Sequence, residues 1–146
     1  MTRRTPPRPV DVEALFPELR PLRREAVRLH PRAGRPSHVD SSVGGPLLWP
    51  VEEPWPVCDT EHYEKDSDTL YEGEVHLVPV VQVHRVDAPG IAFPRGCDLL
   101  QVLWCPYDHG EYRYPLPRVH WRRAGDVERV RETPPSHAEA AAEYVP

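Results

Sequence analysis

Two Cys-x-x-x-His units are the residues of this chain whose types and spacing most closely resemble a metal site. They are Cys58-Asp-Thr-Glu-His62 and Cys105-Pro-Tyr-Asp-His109, and they use two of the three cysteines. Two thiolates and two imidazoles are a ligand set of tetrahedral structural zinc, and four protein ligands leave no position for water or substrate. The sequence therefore predicts a structural zinc bound by Cys58, His62, Cys105 and His109.

The same residues also allow two other interpretations, because this spacing specifies a metal less strongly than a Cys-x-x-Cys pair does. In the first, Cys105 is a small buried residue at a strand end, Cys58 is a loop thiol, and both histidines are exposed or hydrogen-bonded. In the second, only three of the four residues bind zinc. A water would then complete the site, and the chain would be a hydrolase-like enzyme with Asp108 or Glu61 as its base.

The elements that must position these residues are short, because prolines occur throughout the chain. The chain has 146 residues with 20 prolines, four tryptophans and six tyrosines. This length suits one domain, and the bulky residues argue for a folded one with long proline-rich loops. Pro106 cannot lie inside a helix, so we expect a turn that leaves a strand after Cys105.

Valine-rich and apolar runs predict three strands. His76 to His84 contains Pro79, which predicts an edge strand or a bulge, whereas Leu99 to Trp104 is almost entirely apolar and predicts a buried central strand. Val119 to Arg123 is the third. Gln82 and Gln101 are amides within these apolar runs, and we expect them to pair with each other or with loop backbone, because buried amides require partners.

The regions outside these strands predict shorter elements. Arg24 to His30 alternates and indicates a half-buried strand, and Asp11 is suited to cap a short helix over Val12 to Phe16. Gly44-Gly45 before Pro46 predicts a turn with positive φ. In the charged, alanine-rich tail of residues 126–146, the sequence predicts a helix that starts at Ser136.

Charge is distributed unevenly along the chain. Residues 1–35 hold nine arginines and four acids, whereas residues 36–146 hold nine basic and 19 acidic residues. We expect residues 1–10 to be a disordered basic arm, and the net charge of −5 disfavours a general nucleic-acid binder. No apolar run approaches the ~20 residues of a membrane span, and no signal peptide is evident. The expected location is the cytoplasm, without membrane contact.

The order of several motifs resembles a known family. Ser42-Val43-Gly44-Gly45-Pro46 is followed by Trp55-Pro56, by an apolar strand ending near Gln82, by Phe93-Pro94-x-Gly96 and by Leu99-Leu100-Gln101-Val102-Leu103. Over roughly residues 40–105 this pattern resembles the YwqG-like family of bacterial domains of unknown function. The resemblance implies an α+β fold, β-rich, with a mixed or antiparallel sheet, short helices and no established activity. The two Cys-x-x-x-His units are not part of the family pattern.

The resemblance also bears on domain organisation and partners. It assigns residues 11–125 to a single YwqG-like domain whose C-terminal part we expect to be missing. An exposed sheet edge would then favour a homo-oligomer, because unpaired strand edges invite pairing. The preferred function is a non-catalytic module that binds another protein, stabilised by zinc, and the zinc-dependent enzyme is the alternative.

Overall fold

Four antiparallel strands form the sheet in the part of the chain that the structure describes. The structure is a computed structural model, and it describes residues 6–24, 26–63, 68–111 and 114–135. The strands are β1 (Ser42–Val43), β2 (Val78–His84), β3 (Leu99–His109) and β4 (Tyr114–Arg122), and they lie side by side in chain order. With its short helices, the chain has the predicted β-rich α+β fold.

The predicted strands are confirmed, with longer bounds for two of them. β3 is central, as expected, and alternates between buried residues such as Leu103 and half-buried residues such as Trp104. It continues past Cys105 to His109, so the expected turn directly after Cys105 is wrong. The bulge predicted at Pro79 is present, because the register of β2 against β3 shifts between Pro79 and Val81.

The N-terminal part of the chain differs from its prediction. Asp11 caps α1 (Val12–Leu15), as expected, and a 3₁₀ helix (Pro17–Leu22) follows directly. A second 3₁₀ helix (Ala124–Asp126) follows β4. The strand predicted over Arg24 to His30 is wrong, since the described residues from 26 to 30 are exposed, have no regular secondary structure and lie outside the sheet. The helix predicted from Ser136, like the first five residues of the expected arm, lies outside the described residues.

The hydrophobic core lies between the inner face of the sheet and two loops, called the Trp-Pro loops, which contain Trp49-Pro50 and Trp55-Pro56. Trp49 and Trp55 contact each other with ring centroids 5.2 Å apart, and the Trp55 indole donates to the Leu77 carbonyl at 2.8 Å. This hydrogen bond lets the bulky Trp55 ring enter the core without an unpaired N–H. The buried cluster comprises Leu47, Trp49, Trp55, Val75, Leu77, Leu103 and Cys105.

Gln82 and Gln101 form the centre of a buried hydrogen-bond network, as predicted. Gln101 Nε2 donates to Gln82 Oε1 at 2.7 Å and to the Leu48 carbonyl at 3.1 Å. Gln82 Oε1 also accepts from the Leu48 N–H, and Gln101 Oε1 accepts from Arg122 Nε. Arg122 in turn forms an ion pair with Glu53 and lies 4.2 Å from the Trp49 ring centroid. The network ties β2, β3 and β4 to the loop that carries both tryptophans.

Both ends of the sheet have short or interrupted edges. β1 has two residues, and it is followed by Gly44 and Gly45 at the predicted positive φ. β4 carries Pro115 and Pro117, which have no N–H to donate. Beyond β4, the chain still contacts the body, because the Arg131 N–H donates to the Trp49 carbonyl at 2.8 Å. None of the helices in the described residues is long and apolar enough to cross a membrane.

Candidate metal centre

Three of the four predicted ligands converge at the end of the core next to β3. The potential ligand atoms of Cys58, His62 and Cys105 all lie within 4.8 Å of one another. The fourth, His109, is adjacent, with its Nε2 3.8 Å from the Cys58 sulfur. The two Cys-x-x-x-His units, which are far apart in the sequence, therefore meet in one cluster.

A bulge in β3 brings Cys105 and His109 together. In a regular strand, residues four apart are separated by about 13 Å, which is too far for two ligands of one ion. Cys105 pairs with Leu116 and His109 pairs with Tyr114, so four steps along β3 match two steps along β4. The extra residues include Pro106, and they fold the strand back so that both side chains can face the same space.

Backbone bonds to neighbouring segments hold the first unit against β3. The Cys58 N–H donates to the Val75 carbonyl at 2.8 Å, which fixes the loop after Trp55-Pro56. The Tyr63 N–H donates to the Asp108 carbonyl at 2.9 Å, and the Tyr71 N–H donates to the His62 carbonyl at 3.0 Å. His62 is thus anchored on both sides, directly beside the bulge.

Both imidazoles are oriented in the way that metal ligands require. His62 Nδ1 lies 2.9 Å from the Thr60 carbonyl and His109 Nδ1 lies 2.9 Å from the Glu61 carbonyl. Because a carbonyl can only accept, each Nδ1 must carry the proton, and each Nε2 keeps its lone pair. Hydrogen bonds of this kind fix the tautomer and the ring orientation of metal-binding histidines.

The cluster is buried, and burial changes the acidity of its members. His109 is fully buried, Cys105 is 2% exposed and His62 is 6% exposed. Burial, reinforced by the adjacent Cys58, raises the pKa of the Cys105 thiol to about 12. Burial also lowers the pKa of His109 and so favours its neutral, ligand-competent form. His62 Nε2 is a buried nitrogen without a hydrogen-bond partner.

The spacing of the ligand atoms is close to that of a tetrahedral ion. Bonds of about 2.3 Å to sulfur and about 2.0 Å to nitrogen place a sulfur and a nitrogen on one ion roughly 3.5 Å apart. The 3.8 Å between Cys58 Sγ and His109 Nε2 is slightly longer and is also a hydrogen-bond distance for sulfur. Two soft sulfurs and two imidazole nitrogens are also the donor types that zinc prefers.

Tyrosines form a second layer around the histidines, and the sequence analysis did not identify them. The Tyr107 and Tyr71 rings stack with centroids 4.6 Å apart, and both contact the His62 ring. The Tyr114 ring lies 6.4 Å from that of His109. Tyr107 and Tyr71 are separated in sequence, and no local pattern predicted their contact. The layer shields the cluster from solvent.

The residues proposed as catalytic bases contribute backbone atoms to the cluster. The Glu61 carbonyl orients His109, and the Asp108 carbonyl anchors Tyr63. The Glu61 side chain is exposed. Cys97, the remaining cysteine, lies in a separate turn, where its N–H donates to the Pro94 carbonyl.

A cavity of about 720 Å³ lies elsewhere, between residues 29–36 and the β1 edge of the sheet. Arg32 and Arg35 line one wall, and Val43 and Val81 line the other. None of the four predicted ligands borders it. The Cys/His cluster and this cavity are therefore distinct features.

Comparison of the chain with protein-family models, with curated proteins and with solved structures gave no match. The resemblance to the YwqG-like family therefore remains a prediction from the motifs.

Proposed function

We propose that this chain is a non-catalytic, cytoplasmic protein-interaction module whose fold is stabilised by a structural zinc. The observation that supports the zinc is the buried meeting of Cys58, His62 and Cys105, with His109 in contact with Cys58. Zinc would neutralise the two thiolates and satisfy the buried His62 nitrogen, both of which are costly to bury alone. The ion would link the loop after Trp55-Pro56 to the central strand.

The position of His109 favours a structural rather than a catalytic zinc. Catalytic zinc keeps one position for water, with three protein ligands. Here a fourth candidate ligand, His109 Nε2, lies 3.8 Å from the Cys58 sulfur, and its Nδ1 is hydrogen-bonded to the Glu61 carbonyl. We therefore propose four protein ligands. The enzyme alternative requires His109 to stay unbound, with Cys58, His62 and Cys105, whose ligand atoms lie within 4.8 Å of one another, as the three ligands.

The proposed partner is a protein with a basic surface. Residues 36–146 carry ten more acidic than basic residues, and complementary charge directs association and selects partners. The Trp-Pro loops are held by core contacts and by the amide network. The exposed surface of these loops is therefore already rigid before a partner binds. Rigid surfaces lose less conformational entropy on association.

Metal content is the direct test of the zinc. Native mass spectrometry with elemental analysis should find one zinc per chain in the parent and none in Cys58→Ser or Cys105→Ser. Cys97→Ser is the matched control, because Cys97 is a turn cysteine outside the cluster, and it should retain the ion. A parent protein without metal after purification and zinc titration would contradict the proposal.

Cobalt substitution distinguishes the closed site from an open one. A closed site with two sulfurs and two nitrogens should give an intense tetrahedral spectrum that added azide does not change. In His109→Ala the ion would have an open position, and azide should then alter the spectrum. An azide response in the parent protein would support the zinc-dependent enzyme instead.

A further inference from the structure

We propose that the N-terminal segment of one copy packs on the outer face of the sheet of a second copy, and that two such contacts form a symmetric dimer. This inference is independent of the proposed zinc. It rests on two apolar surfaces that the structure leaves exposed. One is on the segment of residues 10–24, which is called the arm from here on and is not the basic arm expected over residues 1–10. The other is on the sheet.

The arm carries several exposed apolar side chains. Val12 and Leu15 lie on α1, Phe16 is its C-cap, and Leu19 lies on the 3₁₀ helix that follows, so two short helical turns present them rather than one continuous helix. Their exposed fractions are 47, 64, 51 and 39%, and Leu22 is 68% exposed. Neither α1 nor the following 3₁₀ helix contains a buried residue.

The sheet presents a second apolar surface on the side opposite the core. Val43, Val81, Val102 and Val119 pair in register across all four strands, so they form one row on one face. Val43 and Val119, at the two ends of the row, are each 52% exposed. An antiparallel sheet usually turns polar side chains to solvent on its outer face, so an uncharged row is unusual.

The neighbours of the row extend the apolar surface and define its limit. Trp104 and Pro117 form the next pair along β3 and β4, and both are at least partly exposed. In the other direction, the ring of Phe93 covers Trp121, with centroids 5.2 Å apart. We define the outer face as Val102, Trp104, Pro117 and Val119, because Val43 and Val81, at the other end of the row, line the cavity beneath residues 29–36.

Helical segments are the elements that cover such a face in an α+β fold. Helical turns with exposed apolar side chains and a sheet with one apolar face each bury that surface by forming two packed layers. The two surfaces are present in one chain, yet the arm side chains stay exposed. After the arm, Val27 lies against Gly90, because a Cβ at Gly90 would come within 2.9 Å of Val27 Cγ2. A second copy can bring its face to the arm without disturbing this contact.

Charge favours contact between the N-terminal region of one copy and the body of another. Residues 1–35 carry a net charge of +5, and residues 36–146 carry −10. The arm itself holds three arginines and three acids, so the excess positive charge lies on the residues on either side of it. Glu13 is already occupied by ion pairs with Arg8 and Arg23, at 3.8 and 3.6 Å. Opposite net charges attract over a Debye length and favour this orientation over a contact between two acidic bodies.

The buried area favours a reciprocal exchange over a single contact. The exposed parts of the five arm side chains add up to roughly 500 Å² of apolar surface, the size of a functional patch on a monomer. One arm on one face would bury about twice that area, and two reciprocal contacts about four times, which reaches the ~1,200–2,000 Å² of stable interfaces. A two-fold axis closes the assembly at two copies.

The test is the oligomeric state of the full chain, measured by sedimentation equilibrium over a wide concentration range. The parent protein should be dimeric, and Leu15→Glu should raise the dimer dissociation constant by about 100-fold or more, because both arms carry the change. Val119→Glu, on the receiving face, should have a similar effect. Val86→Glu, at a loop position that is 83% exposed, is the matched control and should remain dimeric.

A mixture of Leu15→Glu and Val119→Glu separates exchange from other contacts. The heterodimer keeps one intact arm and one intact face, so native mass spectrometry should show more heterodimer than either homodimer. Circular dichroism with thermal melting should show that both variants fold. A monomeric parent, a dimer unaffected by Leu15→Glu, or the absence of excess heterodimer would overturn the proposal. So would a monomeric parent whose arm binds vesicles of anionic lipid.

Discussion

Two polar clusters are buried on the core side of the same sheet, and they are satisfied in different ways. In the amide network, both Nε2 groups donate two hydrogen bonds, and each Oε1 accepts at least one. In the Cys/His cluster, only the two Nδ1 atoms have strong partners, and His62 Nε2 has none. The protein completes the first cluster by itself, whereas the second brings three potential ligand atoms within 4.8 Å of one another and leaves a buried nitrogen without a partner.

This difference indicates which cluster depends on conditions outside the chain. A satisfied amide network stabilises the fold at any metal concentration, because all of its hydrogen-bond donors and acceptors belong to the protein. A metal site contributes stability only when its ion is bound, and that contribution grows with the concentration of free ion. The two clusters should therefore respond differently to chelation, substitution and pH.

Chelation should have the largest effect and should act on the Cys/His cluster alone. At a free zinc concentration a thousandfold above Kd, binding adds about 4 kcal/mol of stability. Removing zinc should therefore lower the Tm of the parent by roughly 10 °C or more, measured by calorimetry. Cys105→Ser should show no response to the chelator. Equal Tm values for the parent with and without chelator would remove the proposed difference between the clusters.

Substitution in the amide network should have a smaller effect that does not depend on zinc. Gln101→Leu leaves Arg122 Nε and the Leu48 carbonyl without a partner, which should cost about 2–3 kcal/mol in urea denaturation. The loss should be the same with zinc and with chelator. Val86→Thr, at a loop position that is 83% exposed, is the control and should change stability little. A loss that disappears after chelation would show that the two clusters are coupled.

The smallest effect should appear at acidic pH, at the edge of the amide network. The hydrogen bond from Arg122 holds the pKa of Glu53 below its ordinary value of 4.5. A lowered folded-state pKa stabilises the protein above the unfolded value, and this stabilisation is lost as pH falls through the folded value. Glu53→Gln should therefore be less stable than the parent near neutral pH, by no more than about 1 kcal/mol for a partly exposed pair.

The difference between Glu53→Gln and the parent should shrink below about pH 4.5. Thermal melting across this pH range measures it. A difference that stays constant down to strongly acidic pH would mean that the carboxylate charge is not what Arg122 contacts.

The sequence predicted the parts of this fold that depend on local pattern. The apolar run after Leu99 identified the central strand, and the requirement for amide partners identified the contact between Gln82 and Gln101. The strand predicted over Arg24 to His30 failed because alternation alone does not provide a neighbouring strand. Two of the residues that follow the arm there, Val27 and Leu29, instead remain partly exposed.

For the candidate site, the residue types in the sequence predicted the candidate ligands, but the sequence did not predict the backbone geometry that brings them together. The matched units indicated the four ligands, but nothing local predicted a bulge that shortens the path from Cys105 to His109. The start of β4 was also missed, because Pro115 and Pro117 interrupt the pattern of a strand. Contacts between distant segments, such as the stacking of Tyr71 on Tyr107, depend on the assembled fold.

The prolines of β4 determine how copies of this chain can add to one another. The Arg122 carbonyl accepts from the Asp98 N–H. The backbone N–H and C=O groups of even-numbered β4 residues therefore point toward β3, and those of odd-numbered residues point away from the sheet edge. Pro115 and Pro117 therefore remove half of the outward donors of this strand, and an incoming strand would leave its own carbonyls unpaired. The addition of further strands at this edge, which could otherwise continue without limit, is therefore disfavoured. The exposed valines can then favour association without seeding a fibril.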